Sequence, residues 1–233
     1  MANSRKLLFY SVLGIFAFSI NTIYAISYRW SLQELCWSMW LAALFFSWTC
    51  TFLGAVSIVL NTDYYKNCIQ SKIAQLKKVP DEAFFVLLWV AVLLVAWIIS
   101  YIYCYLFSFY GIFLSVFAEM EPHSFFGRNG FVNSDFFSPV IYLLIRFWPM
   151  VLGVFISNLN VFVKGASWRL MFLPFKSGEI AKIHVMVVVM PFLCLFAWMI
   201  SRDSYQPITI SLLMAALYLV RVPDQKDKGL IKN

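Results

Sequence analysis

Residues 83–118 contain no charged side chain over 36 consecutive positions. As a single α-helix this stretch would be about 54 Å long, nearly twice the hydrocarbon core of a bilayer, which is about 30 Å thick. The chain as a whole is 62% hydrophobic and only 12% charged, about half the charge of a typical soluble domain. The stretch therefore predicts a membrane span, and such a span must be helical because backbone groups in lipid have to be paired within the segment.

Six hydrophobic stretches follow one another along the chain. The predicted spans are 6–26, 34–60, 83–108, 137–163, 180–200 and 205–221. Because 83–118 is too long for one span, we expect a break at Gly111, with 109–118 forming an interfacial or re-entrant piece. The predicted fold is all-α, a polytopic transmembrane helix bundle of about six spans forming one domain over residues 1–233. The first stretch also fits a signal peptide, and the sequence leaves its cleavage open.

The lysines and arginines orient this bundle. If the N-terminus is cytoplasmic, the segments on that side carry fourteen of the 18 cationic residues, the opposite side carries three, and one lies inside a span. The fourteen are Arg5, Lys6, Lys66, Lys72, Lys77, Lys78, Lys164, Arg169, Lys176, Lys182, Arg221, Lys226, Lys228 and Lys232; the three are Arg29, Arg128 and Arg202. This is the positive-inside bias, and it predicts that both termini are cytoplasmic. It also accounts for the net charge of +7, so we expect no nucleic-acid partner.

The remaining cation, Arg146, lies in the fourth span at the head of a polar stripe. Residues at steps of three or four share one face of this helix, and they are Arg146, Met150, Gly153, Ser157, Asn160 and Lys164. A guanidinium within a span costs about 2.5–3.5 kcal/mol, so Arg146 should face protein or water. Pro149 should kink the helix beside it.

Two interpretations of this stripe stay open. In the first, it forms an anion or proton site within the bundle. In the second, Arg146 extends outward to an acidic partner, namely Glu34, Glu119 or Asp135, while Gly153 and Ser157 only allow close helix packing.

The loop 61–82 predicts a contact with lipid headgroups. Apolar residues at helical spacing alternate there with Lys66, Lys72, Lys77 and Lys78, as in a short basic helix on an anionic membrane surface. A solvated extension of the second span is the alternative. At the other end of that span, Trp30, Trp37 and Trp40 predict an aromatic belt.

Signatures of enzymes and cofactors are missing from the sequence. It contains no HExxH, no GxSxG and no phosphate-binding glycine loop. His184 is a possible proton or hydrogen-bonding site, but His123 lies on the opposite side in this topology, so haem ligation by both is not expected. The five cysteines show no metal-ligand spacing. We expect no metal and no cofactor.

Several short motifs resemble an uncharacterised family of bacterial multi-spanning membrane proteins, a domain of unknown function. They are Trp30-Ser31-Leu32, Tyr110-Gly111-Ile112-Phe113, Pro174-Phe175 followed by Ile183-His184, and Leu219-Val220-Arg221 with Asp224. The resemblance implies the fold and a bacterial inner membrane, and it implies no activity. The family pattern has a histidine shortly after the Tyr-Gly-x-Phe element, where this chain has Ser115, Val116 and Phe117.

The sequence thus predicts a multi-pass membrane protein without a catalytic set. The leading hypothesis is a non-enzymatic structural or accessory subunit that packs against membrane lipids, other membrane subunits or a second copy of itself. One alternative is a small transporter or channel with a polar pathway along the Arg146 face. Another is a membrane enzyme that acts on lipid.

Overall fold

The computed structural model describes residues 2–73, 79–117, 137–159, 162, 167–176, 189 and 192–219. Over these residues the chain is helical and forms no strand, which confirms the all-α prediction. The helices are α1 (Ala2–Ser27), α2 (Leu32–Leu60), α3 (Thr62–Lys72), α4 (Asp81–Phe117), α5 (Phe137–Ser157), α6 (Leu173–Lys176), α7 (192–200) and α8 (Tyr205–Leu219), with a 3₁₀ segment at Trp168–Phe172 before α6. Within the described ranges, α2, α4 and α5 are long and apolar enough to cross a membrane.

Helix α2 is the centre of the bundle. It contacts α4, α5, the 3₁₀ segment and α8, while α1 packs against α5 and α8. A helix that is apolar on all sides is buried in a protein interior, and α2 follows this rule, since Trp40, Leu41, Leu44 and Phe46 are fully buried along it. Helices α4, α5 and α8 and the 3₁₀ segment are therefore arranged around α2.

The connection between α1 and α2 is a tight turn that begins with a capping motif at the end of α1. The amide of Trp30 donates to the carbonyl of Ala25 at 2.9 Å, and the amide of Arg29 donates to that of Ile26 at 3.0 Å. This pattern is a Schellman motif, which requires a left-handed residue after the helix. Arg29 is that residue, with φ at 50°. The turn places Trp30 in the core and starts α2 directly afterwards.

Helix α4 runs without interruption for 37 residues from Asp81 to Phe117. The predicted break at Gly111 is therefore wrong, and 109–117 continues the helix instead of forming a re-entrant piece. A single glycine costs a helix only about 1 kcal/mol, and hydrogen bonds on both sides outweigh that cost. Among the contacts that the structure describes, α4 packs mainly on α2, and its buried side chains in the shared core are Val92, Ile99, Tyr103, Phe107 and Tyr110.

Helix α5 is bent at its centre, as Pro149 predicts. Phe147, two residues before the proline, has φ −118° and ψ 20°, outside the helical region. Proline has no amide hydrogen for the carbonyl four residues earlier, and its ring crowds that carbonyl. The helix therefore changes direction at this point.

The bend wraps α5 around the first half of α2. At its centre, the ring of Phe147 packs edge-on against Trp30 at 4.9 Å between centroids. At its start, Phe137 lies 6.1 Å from Trp48. Near its end, Phe155 lies 6.4 Å from Phe46. The centre of α5 thus meets the start of α2, and both ends of α5 lie near the middle of α2.

The segment 167–176 packs against α2. Leu170 and Met171 of the 3₁₀ segment are buried. A Cβ atom at Gly54 of α2 would lie 2.6 Å from Met171 Cγ and 3.1 Å from the Met171 amide nitrogen. The missing side chain at Gly54 is thus what lets the 3₁₀ segment approach α2 this closely.

Candidate functional site

Glu34 is fixed at the first turn of α2 by a capping box. Its backbone amide donates to Ser31 Oγ at 3.2 Å, and its Oε2 accepts the Ser31 amide at 2.8 Å. A glutamate three residues after a serine N-cap satisfies the free donors at a helix start in this way. One oxygen of the carboxylate is therefore used within α2, and the other is available to a second element.

Arg146 of α5 binds that second oxygen. Its Nη2 forms an ion pair with Glu34 Oε1, and its Nη1 donates to Tyr142 Oη at 3.4 Å. Of the three partners that the sequence suggests for Arg146, the structure thus places Glu34 against it. The other two predicted partners, Glu119 and Asp135, lie outside the described residues. The pair links the α1–α2 turn to the bend of α5.

The ion pair lies at the surface and not inside the bundle. The side chain of Arg146 is 52% exposed and that of Glu34 is 21% exposed. At this exposure in water such a pair contributes only about 0–1 kcal/mol to stability. Glu34 does lower the cost of placing a guanidinium in an apolar helix, because it balances the charge. The pair thus explains why α5 can carry an arginine. It contributes little to the stability of the fold.

The structure describes the polar stripe of α5 from Arg146 to Ser157, and these members do not form a continuous polar row in the interior. Beyond the exposed Arg146, the face continues with Met150, which is fully buried, and with Gly153, also buried. Ser157 Oγ donates to the carbonyl of Val154 at 2.9 Å, within the same helix. The last two members of the predicted stripe, Asn160 and Lys164, lie outside the described residues.

Exposed aromatic side chains lie at the same end of the bundle as Arg146, and one of them, Tyr142, contacts it. The exposed fractions are 66% for Tyr28, 58% for Tyr142 and 50% for Trp148. Tyr24 connects two of them, because it stacks on Tyr28 at 4.3 Å and contacts Trp148 at 6.4 Å. We call Tyr28, Tyr142, Arg146 and Trp148 the Arg146 patch. Aromatic rings with polar tips are typical of a membrane–water boundary.

The predicted aromatic belt has the wrong members. Trp30, Trp37 and Trp40 are all buried, whereas belt residues face the membrane boundary. Trp40 has a polar role in the core, since its Nε1 donates to the Phe107 carbonyl at 2.7 Å. Tryptophan as a residue type predicted a position at the membrane boundary. In the structure, these three rings instead pack in the core between α2 and its neighbours.

The predicted basic helix of the 61–82 loop exists as α3, separated from α2 at Asn61. Lys66 Nζ pairs with Asp81 at 2.6 Å and lies 5.8 Å from the centre of the Phe85 ring. This contact ties α3 to the start of α4. Lys72 lies in the last turn of α3 and is exposed. Lys77 and Lys78 lie outside the described residues.

One tertiary contact of α4 was missed by the sequence reasoning. The buried hydroxyl of Tyr103 donates to the carbonyl of Met171 at 2.9 Å. Together with Gly54, it fixes the 3₁₀ segment to two helices. A glycine inside an apolar helix was an available signal of close packing, but nothing in the sequence identifies its partner.

The remaining candidates from the sequence are the cysteines and histidines as metal ligands. No group of three or more His, Cys, Asp and Glu side chains is found in the described part of the chain. The five cysteines, all within the described residues, form no disulfide, and Cys68 in α3 is exposed. His184 lies outside the described residues.

Comparison of the chain with protein-family models, with curated proteins and with solved structures finds no match.

Proposed function

We propose that the protein is a non-enzymatic membrane subunit that docks through the outer surface of α4. The observation behind this proposal is that most described side chains of that helix are exposed. Only 17% of its most apolar stretch is buried, compared with 50% in α2 and 44% in α5. Such an apolar surface is stable only against lipid or against another membrane protein.

The exposed face of α4 is continuous along the helix. Val86, Val90, Leu93 and Trp97 are all exposed and follow each other at steps of three or four, so they lie on one side. Trp97 also stacks on Tyr101 at 6.0 Å between centroids. Large rigid aromatics of this kind are frequent in protein interfaces. This favours a partner helix from another subunit or from a second copy.

The proposal includes the topology that the sequence predicts. In it, about six spans cross a bacterial inner membrane, and both termini and α3 lie in the cytoplasm. The excess of lysine and arginine in the segments assigned to that side supports this orientation.

A polar pathway along α5 would require Arg146 to face the interior. Its exposed side chain and the buried Met150 after it favour the subunit over a transporter. Replacing Arg146 with Leu in proteoliposomes separates the two functions. A transporter loses its flux, whereas the subunit has no flux to lose.

Site-specific photocrosslinking in native membranes tests the docking surface. A benzoyl-phenylalanine at Leu93 or Val90 should produce adducts with a protein chain. The same probe at Ile145 of α5, which is also exposed, serves as the matched control and should give fewer such adducts. The subunit role is wrong if the probes at Leu93 and Val90 give only lipid adducts and the protein purifies in mild detergent as a monomer with no other chain.

A further inference from the structure

Arg146 has more hydrogen-bond donors than its protein partners use. A guanidinium carries five N–H donors. The structure assigns one contact to Glu34 and one to Tyr142, and half of the side chain remains exposed. A guanidinium in contact with a membrane needs acceptors for the remaining donors, because unsatisfied donors in lipid cost several kcal/mol.

The surroundings of Arg146 indicate where those acceptors come from. The patch lies at the α1–α2 end of the bundle, level with the N-terminus of α2 and not with its middle. Its exposed residues Tyr28, Tyr142 and Trp148 are the types that prefer the boundary between acyl chains and headgroups. At this boundary the abundant acceptors are the oxygens of lipid phosphates.

We infer that the Arg146 patch binds the phosphodiester of a phospholipid from the leaflet at the α1–α2 end. Arginine binds phosphate with two parallel N–H donors, which gives both strength and orientation. The ring of Tyr142, whose hydroxyl accepts a hydrogen bond from Arg146, covers the glycerol and the first methylenes of the acyl chains. Glu34 holds the guanidinium in place and at the same time weakens its attraction for the phosphate.

This arrangement gives opposite predictions for the two partners of one ion pair. Glu34→Gln keeps the capping box, which accepts Gln at this position, and removes the competing charge, so phospholipid should bind more tightly. Arg146→Gln removes the phosphate ligand, so affinity should fall by at least about tenfold, as expected for a hydrogen bond to a charged group. The double variant carries a neutral pair and should bind as weakly as Arg146→Gln.

The test measures the thermal stabilisation of the delipidated full-length protein in detergent as short-chain lipid is added. Phosphatidylglycerol and phosphatidylcholine share the phosphodiester and should both stabilise the native chain, whereas diacylglycerol should not. Arg202→Gln is the matched control, because Arg202 also lies over an aromatic ring, that of Trp198 at 4.9 Å, as Arg146 lies over that of Phe147 at 5.8 Å. It should bind as the native chain does.

Three results would overturn the inference. The first is equal binding by Arg146→Gln and the native chain. The second is weaker binding by Glu34→Gln, which would show that the intact ion pair matters only for folding. The third is equal stabilisation by millimolar inorganic phosphate, which would assign the site to a free anion. The inference depends on membrane embedding but not on docking through α4, so crosslinking at Leu93 fails or succeeds independently of it.

Discussion

The hydroxyl of Tyr103 and the carbonyl of Met171 form a buried hydrogen bond of 2.9 Å between residues 68 positions apart. One partner lies in the longest helix and the other in a short 3₁₀ segment that the sequence assigned to a loop. The bond therefore fixes the position of a segment that has little regular structure of its own.

We expect Tyr103→Phe to lower the free energy of unfolding by about 1–2 kcal/mol, because the carbonyl of Met171 loses its donor in a buried site. Reversible unfolding by SDS in mixed micelles measures this change. Tyr101→Phe, two residues away on the face that stacks with Trp97, should change stability by less than about 0.5 kcal/mol. Equal effects of the two variants would contradict the contact.

Gly54 provides a second test of the same packing. In an open helix, Gly→Ala adds about 1 kcal/mol of stability. Here the new Cβ meets Met171 Cγ at 2.6 Å, so we expect Gly54→Ala to destabilise the protein by about 1–2 kcal/mol. Combining it with Met171→Ala should recover part of that loss in a double-mutant cycle. A more stable Gly54→Ala variant would show that the 3₁₀ segment does not lie on α2.

The left-handed backbone of Arg29 predicts a stabilising substitution. A side chain at φ 50° crowds the backbone, and glycine removes that strain. Arg29→Gly should be about 1 kcal/mol more stable than Arg29→Ala, a comparison in which both variants lose the charge. The same unfolding assay measures the difference. An Ala variant as stable as the Gly variant would refute the Schellman turn.

Trp40 should behave as a core residue. Trp40→Phe removes both the donor to the Phe107 carbonyl and part of a fully buried ring. We expect it to cost about 2 kcal/mol of unfolding free energy. Trp97→Phe, at an exposed position of α4, is the control and should be close to neutral. If Trp40→Phe is as mild as Trp97→Phe, the belt interpretation of Trp40 is correct after all.

Local rules predicted much of this fold. The helical class follows from the long apolar runs. The bend of α5 follows from Pro149. The cost of an isolated guanidinium in a span predicts an acidic partner for Arg146, but the sequence offered Glu119 and Asp135 beside Glu34 and did not choose among them. Ser31 and Glu34 also have the spacing of a capping box. That motif places the start of α2 at Leu32, whereas the span predicted from hydrophobicity begins at residue 34.

What the sequence left undetermined depends on which surfaces meet. Whether Trp40 faces lipid or protein is a property of its neighbours, because one amphipathic ring suits both environments. The contact between Gly54 and Met171 joins residues 117 positions apart in the sequence, and no local pattern encodes it. Gly111 permits a break but does not require one, so α4 continues as one helix where the sequence suggested a break.

The labelling of Cys68 tests the membrane topology most directly. This cysteine is exposed in α3, while the other four are buried or partly buried. A membrane-impermeant maleimide should label the membrane-bound protein at Cys68 only after the cells are opened. A Cys68→Ser protein should stay unlabelled, and adding Arg29→Cys to it should restore labelling in intact cells. Labelling of Cys68 in intact cells, or recovery of the protein in the soluble fraction, would contradict a bundle that crosses the membrane with α3 in the cytoplasm.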